Sequence, residues 1–147
     1  MMDSTERTSL AAQFERHADE EGKILAEYRV LAEKLGSGAA GNLVSHILTE
    51  EELHHLLLRT LATWLRAAPA EHARAIPPEA DRAELLRLTK LLRKHELETI
   101  EACRDTQARL AGAGDDGAIV GILLEAMTMD SEKHHRLLGA VERMLTS

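Results

Sequence analysis

Thr49-Glu50-Glu51-Glu52-Leu53-His54-His55 is the stretch on which the reading of this chain turns. It returns eighty positions later as Met129-Asp130-Ser131-Glu132-Lys133-His134-His135. Each copy sets acids ahead of a His-His pair inside an otherwise apolar helical pattern. Acids and imidazoles in an apolar stripe are costly to bury unless paired or metal-bound. Whatever explains the first copy is expected to bear on the second.

Working outward, helical periodicity extends on both sides. Val44, Ile47, Glu51, His54, Leu58, Leu61 and Leu65 repeat at spacings of three and four, which predicts a helix from about 39 to 67. Upstream, Leu10, Phe14, His17, Glu21, Ile24, Tyr28, Leu31 and Leu35 predict another from about Thr8, with residues 1–7 frayed. Gly36-Ser37-Gly38 separates the two as a tight turn. A third helix is expected to start near Glu79 to Asp81 and to run through Leu85, Leu88, Leu92, His95, Thr99, Ala102, Thr106 and Leu110. Gly112 and Gly114 break it, Asp115 or Asp116 is expected to cap the fourth, and Val120, Leu124, Met127, Ser131, His134, Leu138, Val141 and Leu145 form its stripe.

The expected layout is one all-α domain of two helical hairpins, 8–67 and 80–145, joined by the Pro-containing connection 68–79. Extended, that connection reaches roughly 40 Å, about the length of one of these helices, as a crossover along a bundle requires.

Composition sets the class. Ala, Leu, Glu and Arg dominate, and Phe14, Tyr28 and Trp64 are the aromatic residues, which favours helices over strands. The net charge of −7, with no Lys/Arg stripe, argues against a nucleic-acid partner. A single cysteine, Cys103, cannot form an intramolecular disulfide and suits a reducing compartment. No apolar run approaches the roughly 20 residues of a membrane span. The first ten residues are polar and carry acids, unlike a signal peptide, so a cytoplasmic protein is expected.

Helical geometry then sorts the acids. At about 100° per residue, His54 sits at the centre of the apolar face of its helix, with Glu51 about 60° to one side and Glu50 about 40° to the other. His55 falls on the margin and Glu52 points away, so the inward pair is Glu51-x-x-His54. The same count centres His134 on the fourth helix, flanked by Asp130 and Ser131. Glu21 and His17 lie inside the arc of the first helix. On the third helix His95 is inside, Glu98 is at the edge, and Glu101 is further out. A Glu and a His three residues apart share a helix face and can reach one ion. Carboxylates with imidazoles suit iron, manganese or zinc.

These residues together resemble the ferritin-like superfamily, in particular rubrerythrin- and bacterioferritin-like proteins. Glu21, with Tyr28 one heptad later, looks like the first-helix Glu and Tyr of that family. Glu50-Glu51-Glu52-Leu53-His54 looks like its second-helix motif, Glu98 like its third-helix Glu, and Asp130-Ser131-Glu132-Lys133-His134 occupies its fourth-helix motif. The resemblance covers nearly the whole chain. It implies a ferritin-like four-helix bundle holding one or two ions, with iron first and manganese or zinc as alternatives. It also implies Fe(II) oxidation or peroxide reduction. The implied ligands are Glu21, Glu51, His54, Glu98 and His134, with Asp130 or His95 completing the set. Ser131 departs from the pattern, standing where the family has a bridging Glu. The rubredoxin-type cysteines of full rubrerythrins are absent.

Two other readings stand beside this one. In the first, the acids and histidines pair with one another in a polar network, and the protein is a non-catalytic interaction module. In the second, weaker reading the chain is a hemerythrin-like oxygen carrier, which the order of acids before histidines fits poorly. Leu53, Leu56 and Trp64, outside the main stripe of the second helix, suggest a homodimer.

Overall fold

A computed structural model describes residues 2–67 and 75–147. The chain is all-α. Among the described residues four helices, α1 (Ser4–Leu35), α2 (Ala39–Arg66), α3 (Arg82–Leu110) and α4 (Gly114–Thr146), form two hairpins. α1 packs along α2 and α3 along α4, and each hairpin is a compact unit. This is the expected pairing. The extended reach of the connection falls mainly on residues 68–74, outside the described residues. No helix among the described residues is long and apolar enough to cross a membrane.

α1 begins earlier than its apolar pattern predicts. Asp3 caps it: its side chain accepts from the Glu6 amide at 2.8 Å, and the Glu6 carboxylate accepts from the Asp3 amide at 3.0 Å. This reciprocal capping box satisfies two otherwise orphaned donors, so residues 4–7 are helical rather than frayed. Asp81 caps α3 as expected, accepting from the Glu84 amide. Asp115 and Asp116 do not cap α4. They lie in its first turn, where the helix dipole favours negative charge.

Both hairpin turns depend on glycine, for left-handed backbone at Gly36, Gly112 and Gly114 and for close approach at Gly41 and Gly117. Gly36 closes α1 at φ 65°, a left-handed conformation that glycine adopts without steric penalty. Gly41 then passes so close that a Cβ there would lie 1.8 Å from the Gly36 carbonyl oxygen. In the second hairpin a Cβ on Gly117 would meet the Ala113 Cβ at 2.6 Å. The far ends share another device. Arg7 donates to the carbonyls of Leu65 and Ala67 (3.0 and 2.8 Å), and Arg82 donates to that of Leu145 (3.2 Å). In each hairpin an arginine of the first helix satisfies the last carbonyls of the second.

On α1 and α3 the buried stripes are narrower than the apolar patterns and displaced from them, while on α2 and α4 the expected Leu65, Ser131 and Leu145 are buried. α1 buries Ala11, Ala18 and Leu25, while Ile24, Leu31 and Leu35 stay exposed. α3 buries Thr89, Ile100 and Cys103, while Leu88 and Leu92 stay exposed. Small residues let two helices approach closely, and Ala, Gly and Thr share the stripe with Leu25, Leu65, Ile100 and Leu145. On α1 and α3 the larger residues Ile24 and Leu88 lie one position to the side. Heptad spacing within the buried set (Ala11, Ala18, Leu25) is that of a packed two-helix seam.

Constant offsets relate several positions of the two hairpins. Adding 78 to Ala11, Ala18 and Leu25 gives Thr89, Glu96 and Cys103; adding 80 to Leu65 gives Leu145, and to Glu51 gives Ser131. The internal repeat seen in α2 and α4 therefore extends to α1 and α3.

Candidate metal centre

In the first hairpin α1 delivers Glu21 and α2 delivers Glu51 and His54 to one spot. One ligand atom from each lies within 4.8 Å of the others. Glu51 and His54 share a face because they are one helical turn apart, and His54 Nδ1 stands 3.6 Å from Glu51 Oε2. Burial is graded across the group. The Glu51 side chain is 24 % exposed and that of His54 is 56 % exposed, so the cluster opens at the edge of the hairpin.

Glu21 is the electrostatically unusual member. Its Oε1 is buried and makes no hydrogen bond within the chain. Its pKa is raised, chiefly by a side-chain hydrogen bond to Glu51, then by burial and by the negative charge of Glu51; His54 and His17 act in the opposite sense. Two carboxylates this close resist joint ionisation unless a proton or a cation stands between them. Two carboxylates and an imidazole on one spot fit a divalent transition-metal ion. Water would complete its coordination.

In the second hairpin the corresponding positions are Thr99 for Glu21 and Ser131 for Glu51, with His134 for His54. Ser131 is buried. His134 Nδ1 instead approaches Glu96 Oε1 of α3 at 3.4 Å, and the Glu96 side chain is only 17 % exposed. Beside it Arg93 pairs with Glu142 and contacts His135 Nε2 at 3.3 Å. This hairpin balances its acids with its own cations.

The remaining expected ligands of the second hairpin lie apart from that pair. Glu98 is 60 % exposed and faces Lys94 on its own helix at 3.5 Å. Asp130 pairs with Lys133 at 3.1 Å. His95 is exposed and Tyr28 is half-buried.

Sequence reading passed over Glu96 and His55. Glu96 lies seven residues after Thr89 and seven before Cys103, on the buried stripe of α3. His55, expected at the margin, is half-buried, and its Nδ1 is buried without a hydrogen bond in the chain. It lies seven residues before the buried Ala62. Heptad spacing from small residues is the signal that finds both.

No protein-family model matches the chain, and no curated protein or solved structure is significantly similar to it.

Proposed function

We propose that the chain is a ferritin-like metal-binding protein whose first hairpin supplies Glu21, Glu51 and His54 to an iron ion, with manganese or zinc as alternatives. The observation that carries this is the cluster itself. Two carboxylates and an imidazole from two helices bring one ligand atom each within 4.8 Å of the others, with the two carboxylates held against each other. Bound iron would supply one-electron redox chemistry, and Fe(II) oxidation or peroxide reduction is the activity class that goes with it. The residues' own part is plain. Glu21 and Glu51 neutralise the cation and fix its place. His54 adds a neutral donor at the open edge, where a small molecule has access. Glu98, His134, Asp130 and His95 are further candidate ligands by the resemblance, and a second ion would need them.

A second reading is favoured by the other hairpin. Its Glu96–His134 contact and the Arg93–Glu142 pair with His135 are a polar network that needs no metal. By this reading the whole protein is a non-catalytic helical module. A homodimer through Leu53, Leu56 and Trp64, all more than half exposed, belongs to either reading and is tested by light scattering.

Metal content separates the two. Protein purified without added metal is expected to carry stoichiometric iron, manganese or zinc, and Glu51→Ala and His54→Ala are expected to lose it. A folded wild-type protein that is metal-free and ignores added Fe(II) contradicts the proposal.

A further inference from the structure

Among the described residues the first hairpin leaves two buried polar atoms without a partner in the chain, Glu21 Oε1 and His55 Nδ1. Their chemistry is complementary. Arg59 Nε donates to His55 Nε2 at 3.0 Å, so Nε2 is the acceptor and a neutral ring carries its proton on Nδ1. His55 thus holds a buried N–H donor, and Glu21 a buried oxygen acceptor.

His55 also lies against the turn of α1 that carries Glu21. The His55 ring packs on Gly22, the residue next to Glu21; a Cβ built on Gly22 would stand 3.6 Å from His55 Cε1. The second hairpin keeps the histidine, as His135, and keeps an arginine on its Nε2, now Arg93 from α3. It does not keep the rest. Thr99 replaces Glu21, and Ile100, which lines one groove with His135, replaces Gly22. The missing side chain and the buried N–H occur in the hairpin that has the carboxylate to use them.

We infer that His55 is a positioning residue for the metal centre: its Nδ1–H, oriented by Arg59, holds Glu21 Oε1 through one buried water and so fixes the carboxylate whose other oxygen is presented to the ion. A single water between one buried donor and one buried acceptor satisfies both at little cost. Outer partners that orient a ligating carboxylate typically change metal affinity about 10–100-fold. The inference rests on the metal-binding reading of Glu21, Glu51 and His54, and the test separates the two.

The experiment is a calorimetric titration of the metal-free full chain with Zn²⁺ and Mn²⁺, alongside nitrogen NMR of the histidine rings. His55→Phe keeps the ring shape and removes the donor, and is expected to bind about 10–100-fold more weakly. His55→Asn places an amide N–H where Nδ1 stands and is expected to recover most of the loss, which a packing role would not do. NMR of the metal-free wild type is expected to show His55 protonated on Nδ1, and this readout needs neither metal nor variant. A ring protonated on Nε2 overturns the inference. So does equal binding by His55→Phe and wild type when Glu51→Ala has lost binding, and so does failure of His55→Asn to improve on His55→Phe. If Glu51→Ala and His54→Ala bind as tightly as the wild type, the metal-binding reading itself fails and His55 has no ligand to position.

Discussion

The two hairpins are one design with opposite electrostatics. Both close on glycine-dependent turns, bury a seam containing small residues and tie off their far end with an arginine. At the matching height the first sets Glu21 against Glu51, whereas the second has Thr99 and Ser131. The second places its half-buried acids opposite cations and imidazoles: Glu96 with His134, and Glu142 with Arg93. Like charges held together in one hairpin and neutralised in its repeat are what a metal site and its structural counterpart would look like.

Exchanging residues across the repeat gives the largest effect. Glu51→Ser installs the residue found in the second hairpin and is expected to weaken metal binding by more than about 100-fold, above the range for outer partners. Ser131→Ala is expected to leave binding unchanged. Titration of both variants with Fe(II) under anaerobic conditions checks this, and equal affinities would break the contrast.

The turns come next. Gly41→Ala drives a Cβ into the Gly36 carbonyl, a backbone contact that cannot move aside freely, and is expected to cost about 1–3 kcal/mol. Gly117→Ala meets its nearest atom, the Ala113 Cβ, at 2.6 Å rather than 1.8 Å, and is expected to cost less. Urea unfolding of the two variants ranks them.

Removing the cation from the second hairpin tests its neutralised state. Arg93→Ala leaves Glu142 without its partner and is expected to destabilise by about 1–3 kcal/mol while sparing metal uptake. Chemical denaturation and metal titration of one preparation give both answers.

The smallest effect is the pH dependence of the first hairpin. Glu21 is raised in the folded state, so between its unfolded and folded pKa values the folded protein holds the extra proton. Its contribution to stability is complete below the unfolded pKa and is lost as pH rises through the folded one. Metal-free protein is therefore expected to weaken slightly across that window. Glu21→Gln is expected to flatten the profile and to raise stability at neutral pH by about 0.5–1 kcal/mol, the scale of partly exposed charge pairs. A flat wild-type profile would contradict the strained carboxylate pair. Metal binding should show the reverse trend, strengthening with pH as the ion displaces that proton.

Much of the fold is legible in the sequence because turns and helical period are local. Gly36-Ser37-Gly38, Gly112, Gly114 and Asp81 mark boundaries by their own chemistry, and three-four spacing marks the helices between. The start of α1 is missed because Asp3 and Glu6 act through capping rather than through apolar pattern. Helical angle alone brings Glu51 and His54 onto one face and admits Glu21. It does not reveal Glu96 or His55, because the stripe that meets the partner helix is chosen by close packing of small residues. On α1 and α3 the hydrophobic pattern centres on larger residues one position away.

Anomalous diffraction from crystals grown with iron or manganese, collected at the metal edge, tests the central claim most directly. The account predicts a peak within coordination distance of Glu21, Glu51 and His54 of the first hairpin, and no peak between Ser131 and Thr99 of the second. Metal-soaked crystals with no peak at the three ligands, or with equal peaks in both hairpins, would contradict it.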